Sequence, residues 1–452
     1  GKLVLSRADV MDGVAEMIDT LAAQVINRRL EERARGGARY LAAQVSNDKP
    51  NRSGDLTTLA VVPINGQWQD AVRDARSVVA AALAQVPTEA AITREFADID
   101  TYLARENANA QNEPGTKQAD DLLNAVDIGE TVTSPDHALE IWRSVRPLAT
   151  PARILAATQA MFAAPVQRAM LITPTPIPNG EALLAAELTR TPVSAATTTT
   201  TRTPTGRALT FGDLPAAGRR GTLFSRTPID QFDMERWEMG NGVTVLVRPT
   251  TIEPNKIRIS VRWGSGRRGL SPRSSNLLWA GETALVESGI GRFDQNALDQ
   301  LVNGRQIGMN FDVEDDAFEF TAETRPEDMA DQLRLIAAKF AAPGWQPAPV
   351  LRARAGMLAG YDLLRNSPMA VMQNELQSLL FSRDRRYTPP TRAEVEALTP
   401  AAFRAFWEPQ LRQGPIEIQI FGDVGSIDLE SMLLNTMGAL PRRVAATAPA
   451  GA

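Results

Sequence analysis

The chain of 452 residues sets 48 Lys and Arg against 53 Asp and Glu, a net charge of −5, with 43% hydrophobic and 22% charged residues. That balance is ordinary for a globular chain of two or three domains, and it offers no clustered basic face to nucleic-acid phosphates. There is no Cys and one His, His137, which excludes disulfides, thiolate nucleophiles and cysteine zinc sites and strains most His-dependent hydrolase chemistry. No apolar run reaches the ~18–20 residues of a membrane span. The opening Gly reads as an internal cut or a fusion scar, and no signal peptide follows it.

Val14, Ile18, Leu21 and Val25 recur at helical spacing, and Gly36-Gly37 stops the helix near Leu30. Residues 38–45 alternate as a strand, with 56–62 as its partner. A helix follows over 68–86, broken by Pro87. Thr88 caps the next one, whose stripe is Ile92, Phe96, Ile99 and Leu103. Beyond Pro114-Gly115 come a helix around Leu122 to Val126 and another opened by Thr150-Pro151. Arg168 to Thr173 is expected to close the first domain as a strand. The Thr-rich, Pro-punctuated run from Thr191 to Gly206 reads as a linker, loosely continued to Thr227, with a glycosylated stalk as the alternative.

After the linker, Asn241-Gly242 predicts a tight hairpin and Ile257–Trp263 a strand with one apolar face. Helices are predicted over 274–287, 294–301, 329–340, 350–364 and 369–380, with a strand pair over 309–324. Thr391-Arg-Ala-Glu394 forms a capping box, Thr399-Pro400 starts another helix, and Ile416–Phe421 is the last strand.

The two halves repeat each other. Thr150-Pro151 and Thr399-Pro400 each open a helix that Pro165 and Pro415 end, at spacings of 165 − 151 = 14 and 415 − 400 = 15 residues, with an apolar run after each. The fold class expected is α+β: two homologous domains, each an antiparallel sheet with helices on one face. The boundaries are 1–190, a linker over 191–227, 228–443, and a disordered tail over 444–452.

Trp237-Glu-Met-Gly-Asn-Gly-Val-Thr-Val-Leu-Val247, Ile259-Ser-Val-Arg-Trp-Gly-Ser-Gly266, Leu285-Val-Glu-Ser-Gly289, Phe421-Gly-Asp423 and Val25-Ile-Asn-Arg-Arg-Leu30 stand in an order similar to that of a known family. In this the chain resembles the pitrilysin, insulin-degrading-enzyme and mitochondrial-processing-peptidase family of zinc metallopeptidases. The resemblance implies domains of the zinc-peptidase (LuxS/processing-peptidase-like) type, four in two halves, of which this chain is similar to the second and third. The family motif H-x-x-E-H holds zinc with two His and activates water with the Glu. It falls here on Ala280-Gly-Glu-Thr-Ala284, so Ala280 and Ala284 replace the ligands and Thr283 replaces the catalytic Glu.

No catalytic residue, metal ligand or cofactor is therefore expected in this chain. Zinc is expected in the full-length protein or a partner half. Glu282 and Glu287 read as surface acids. His137 reads as solvated or capping, and Asp312, Glu314, Asp315, Asp316 and Glu319 as an exposed turn without the spacing of a calcium hand. Gly264-Ser-Gly-Arg-Arg-Gly269 lacks the ending of a phosphate loop, and Arg383-Asp-Arg-Arg-Tyr387 reads as solvated. By the resemblance, Tyr40, Leu41, Ala42, Ala43, Gln44 and Val45 occupy the strand that pairs with substrate peptides; a fully paired interior strand is the competing reading. The expected function is a segment of a zinc metalloendopeptidase that helps enclose peptide, inactive alone; the alternative is a structural scaffold. Its partners would be a peptide substrate and the first and fourth domains, with no nucleic acid or membrane span. The analogy places it in the bacterial periplasm or otherwise exported.

Overall fold

A computed structural model of the chain describes residues 7–48, 54–64, 66–127, 132–173, 175–192, 209–363 and 368–443. The chain divides into two units, Gly1–Thr200 and Thr201–Ala452. The expected disordered tail and the Thr-rich core of the expected linker lie outside the described residues.

In the first unit, α1 (Arg7–Arg35) buries Val14, Ile18, Leu21, Val25 and Leu30 on one stripe. It ends at Gly37, whose φ of +93° lies in the left-handed region that favours glycine. The strands β1 (Tyr40–Asp48) and β2 (Leu56–Pro63) then pair antiparallel in a two-stranded sheet. Six helices follow: α2 (Trp68–Ala84), α3 (Glu89–Asn109), α4 (Gly115–Asp127), α5 (Pro135–Val145), α6 (Pro151–Met161) and α7 (Gly180–Thr189). Thr88 and Thr150 accept hydrogen bonds from the N–H groups of Ala91 and Arg153, as N-caps do. Trp142 of α5 stacks on Phe96 of α3 with ring centres 4.5 Å apart, and Arg28 of α1 reaches Glu95 and Asp98 of α3. The helix α7 has no apolar stripe to announce it; ion pairs from Arg73 of α2 to Glu187 tie it down.

The strand expected over Arg168–Thr173 is not formed. The segment is irregular, and Val166, Met170 and Ile172 are exposed. A run with strand propensity becomes a strand only when neighbouring strands take its backbone groups, and among the described residues of this unit none does.

The second unit carries β3 (Leu223–Ile229), β4 (Met234–Met239), β5 (Thr244–Pro249), β6 (Ile257–Trp263), α8 (Ser275–Glu287), α9 (Gln295–Val302), β7 (Asn310–Val313) and β8 (Phe318–Thr324). There follow α10 (Met329–Ala341), α11 (Pro347–Leu363), α12 (Pro368–Leu380), α13 (Arg392–Glu396), α14 (Pro400–Arg412), β9 (Ile416–Gly422) and α15 (Leu429–Asn435). Its sheet has seven strands in the order β3-β4-β5-β9-β6-β8-β7. Every pair is antiparallel except β5 with β9. That parallel pair sets the last strand of the chain inside the sheet beside β5, a non-local contact that alternation cannot reveal. Alternate residues of β6, β8 and β9 are buried against the helices. Trp263 lies at the centre, 4.5 Å from Phe320 and 5.0 Å from Phe340 between ring centres.

Part of the expected linker is structured. Phe211 and Leu214 are buried against Ile290, Phe293 and Leu298, and Leu223–Ile229 is an edge strand of the sheet. The second unit thus begins well before residue 228. The order helix, hairpin, four or more helices is common to both units. Thus α1, β1, β2, α2, α3, α4 and α6 stand in chain order as α8, β7, β8, α10, α11, α12 and α14 do. This is the architecture of two homologous α+β domains.

Candidate functional site

The helix α8 is the place where the resemblance locates a metal site. It starts after the Gly264–Gly269 connection from β6 and packs beside β7, α11 and α14. Its residues Leu278, Ala280, Ala284 and Leu285 are wholly buried. Ala280 and Ala284, one turn apart, therefore face the apolar core with Trp263, Phe311, Phe318 and Trp407. Between them, Gly281 lies flat against the Trp407 indole: a Cβ there would stand 2.3 Å from Trp407 Cζ2. Trp407 is fixed in turn by donating from Nε1 to the Leu277 carbonyl at 3.1 Å. Thr283 is exposed. Methyl groups offer a metal no lone pair, and the space beside them is filled by an aromatic cluster. The residues present do not fit zinc.

Polar chemistry gathers at the solvent side of α8. Glu282 lies 3.3 Å from Arg267 Nη2. Burial raises its carboxyl above the ordinary value, with Arg267 opposing that and Asp312 and Glu314 adding to it. Arg267 also donates to the carbonyls of Val313 at 3.1 Å and Arg386 at 2.9 Å, and its guanidinium lies 5.6 Å from the Tyr387 ring centre. Tyr387 donates to Asp315 at 2.7 Å, and Arg268 pairs with the same carboxylate at 2.8 Å. Glu287 faces Arg352 at 3.5 Å.

One sequence reading changes here, that of the Arg383–Tyr387 run. The Gly264–Gly269 loop is no anion cradle, because the N–H groups of Arg267 and Arg268 donate to the carbonyls of Glu314 and Asp315. The Arg383–Tyr387 run is not merely solvated. Arg386 pairs with Asp384 at 2.6 Å and donates to the Arg268 carbonyl, Arg385 pairs with Glu394, and Tyr387 stacks on Phe381. Finally, the acids of the β7–β8 turn are matched by cations and hydroxyls: Asp315 as above, Asp316 by Arg262, and Glu319 by Ser260. Together these groups lock the ends of α8, β7 and α12. They hold the outer carbonyl of β7 at Val313 with a side chain.

The candidate peptide-binding strand, Tyr40–Val45, lies on β1. Tyr40 and Val45 are buried, and the Tyr40 hydroxyl donates to the Leu30 carbonyl at 2.9 Å. Leu41 and Ala43 are half-buried, while Ala42 and Gln44 are exposed on the opposite face. The only strand paired with β1 among the described residues is β2, so β1 is not an interior strand. Its outer edge is nonetheless occupied at the centre. The Asn27 side chain of α1 accepts from the Val45 N–H at 2.7 Å and donates to the Val45 carbonyl at 3.0 Å, in the manner of a neighbouring peptide unit. Composition and periodicity gave no sign of this clamp, because Asn27 belongs to a helix whose spacing speaks only of its apolar face.

His137 is more than half exposed, 3.5 Å from Glu140. No group of three or more His, Asp or Glu among the described residues could hold a metal ion, and none of their helices is long and apolar enough to cross a membrane.

No protein-family model matches the chain. It is 22% identical over 212 residues to the chloroplastic stromal processing peptidase of Pisum sativum, covering 46% of this chain and 17% of that protein. It is 23% identical over 120 residues to the probable zinc protease PqqL of Haemophilus influenzae, covering 26% of this chain and 13% of that protein. Its fold is similar to that of the ferredoxin protease FusC, solved in complex with Arabidopsis ferredoxin, with TM-score 0.55 and 14% identity over 95% of this chain and 48% of that one. The chain thus spans less than half of each of these proteins. Sequence and fold together make it a relative of the zinc metallopeptidases of the pitrilysin, insulin-degrading-enzyme and processing-peptidase family.

Proposed function

We propose that this chain is a non-catalytic segment of a zinc metalloendopeptidase, forming part of the wall that encloses peptide beside a zinc site carried outside these residues. The observation that carries the reading is the pair of core-buried alanines on α8, at the positions where the family motif would place imidazoles. Relatives that are a zinc protease and a processing peptidase support the peptidase context. Exposed apolar side chains on the corresponding helices α4 (Leu122, Leu123, Val126) and α12 (Met369, Met372, Leu376, Leu379) support burial against further domains, the first and fourth of the family order. An exported, periplasmic location accompanies the reading, and cell fractionation tests it.

In this role the chain binds and encloses, and bond cleavage belongs to the zinc-bearing part. Incubated alone with an unstructured peptide, the chain is expected to leave it intact; turnover abolished by a chelator would refute the proposal. The reading frame upstream of Gly1 separates the peptidase from the scaffold alternative. An intact H-x-x-E-H there supports the former, and a motif with its own ligands lost supports the latter.

A further inference from the structure

The outer edge of the hairpin is closed in both units, and by different residues. In the second unit, β7 is the end strand of seven. Its register pairs Val313 with Phe318, next to the turn in which the Glu314 N–H donates to the Ala317 carbonyl. Val313 and Phe311 therefore turn their N–H and C=O groups away from β8, along the edge. Arg267, on the connection ahead of α8, donates from Nη2 to the Val313 carbonyl at 3.1 Å. The Arg386 carbonyl at 2.9 Å and Glu282 at 3.3 Å hold its guanidinium there.

In the first unit the same place is taken by Asn27 of α1. Its side-chain amide meets both the N–H and the carbonyl of Val45, at 2.7 and 3.0 Å. Val45 pairs with Leu59, Ala43 with Val61 and Asn47 with Thr57, so Ala43 and Asn47 turn outward together with Val45. The strands β1 and β7 are counterparts, and β7 ends its sheet although the rest of that sheet is present. The outer side of β1 is thus an edge by the topology the two units share.

An extended chain that joins an antiparallel edge pairs with the outward N–H and C=O groups along one continuous line. Left bare, such an edge is a template for any passing strand. Asn27 stands on that line at the middle of β1, and Arg267 stands on it at the turn end of β7. We propose that Asn27 and Arg267 are edge locks, one in each unit, that keep β1 and β7 from pairing with an extended polypeptide. The locks act on backbone groups, so they exclude strands whatever their side chains. On β1 the lock stands on the candidate peptide-binding strand, and capture of a peptide there requires the Asn27 side chain to leave Val45.

The test is site-resolved amide hydrogen exchange on the full chain, with a Lys-flanked synthetic peptide copying Ile257–Trp263. In the unaltered chain, protection at Ala43, Asn47 and Phe311 is expected to stay the same when peptide is added. In Asn27→Ala, protection at Ala43 and Asn47 should rise about tenfold or more. Arg267→Ala should do the same at Phe311. The peptide N-methylated on alternate amides should protect none of them. Protection of these amides in a variant that grows with protein concentration, without peptide, also supports the locks, because a second copy then pairs with the freed edge. Asn27→Ser and Arg267→Met, which keep more of the side-chain packing, repeat the test should the alanine variants fold poorly. A gain of protection in the unaltered chain overturns the proposal, and so does its absence in the folded variants.

Discussion

The segments over 166–172 and 416–422 follow equivalent helices, each ended by a Pro, and both are apolar runs. One is the central strand β9, buried between β5 and β6; the other is irregular and exposed. The difference is not in the local sequence but in the company. Ile416–Gly422 finds a parallel neighbour on one side and an antiparallel neighbour on the other, so its backbone groups are paired and its apolar face is covered. Among the described residues its counterpart has neither. Strand formation here is a tertiary event, and the stability of the two units should respond to different perturbations.

The sharpest way to separate the units is to damage the core of one. Trp407→Ala removes a wholly buried indole packed on Gly281, Phe311 and Phe318. It should cost the second unit about 3–5 kcal/mol, with the first unit unaffected in a domain-resolved urea or exchange experiment. Equal loss in both would contradict a cost confined to the second unit. Next in size is Ala280→His with Ala284→His. Forcing two imidazoles into a filled core should destabilise the second unit by about 1–3 kcal/mol for each, measured by urea unfolding, without creating a zinc site.

A buried cation gives the comparison a pH axis. Lys339 of α10 is wholly buried, and its ammonium donates to the carbonyls of Leu285 at 2.5 Å and Gly289 at 2.9 Å at the end of α8. Burial pushes it down to about 7. Between that value and the ordinary lysine value, the unfolded chain holds a proton that the folded chain sheds. Stability of the second unit therefore rises with pH across that window and is flat in this group below it. Unfolding at pH 7 and at about pH 9 should show the rise, and Lys339→Met should remove it. The smallest expected effect falls on the first unit. Asn27→Ala leaves the Val45 N–H and carbonyl without their partner, at about 1–2 kcal/mol, and exchange at Val45 should quicken while the second unit stays the same.

Much of this architecture can be read directly from residues. Asn241-Gly242, the alternation of Ile257–Trp263, the caps at Thr88, Thr150 and Thr399, and the box at Thr391 are local signals, and the structure carries all of them. What could not be read is non-local. The β5–β9 pairing joins segments far apart in the chain, Phe211 and Leu214 find their apolar partners on α9 and α10, and Asn27 closes an edge from a helix. At the candidate site, the apolar character of Ala280 and Ala284 was legible, and the structure buries both. The wiring of Arg267, Arg386 and Tyr387 to the acid turn was not, because a charge run looks the same whether water or a partner faces it.

Helix α8 carries methyl groups and packed aromatics where the family motif that the sequence resembles would place metal ligands. Metal analysis of the purified chain after equilibration with zinc tests this most directly. The expected result is no stoichiometric zinc after dialysis; one tightly held zinc per chain would contradict it.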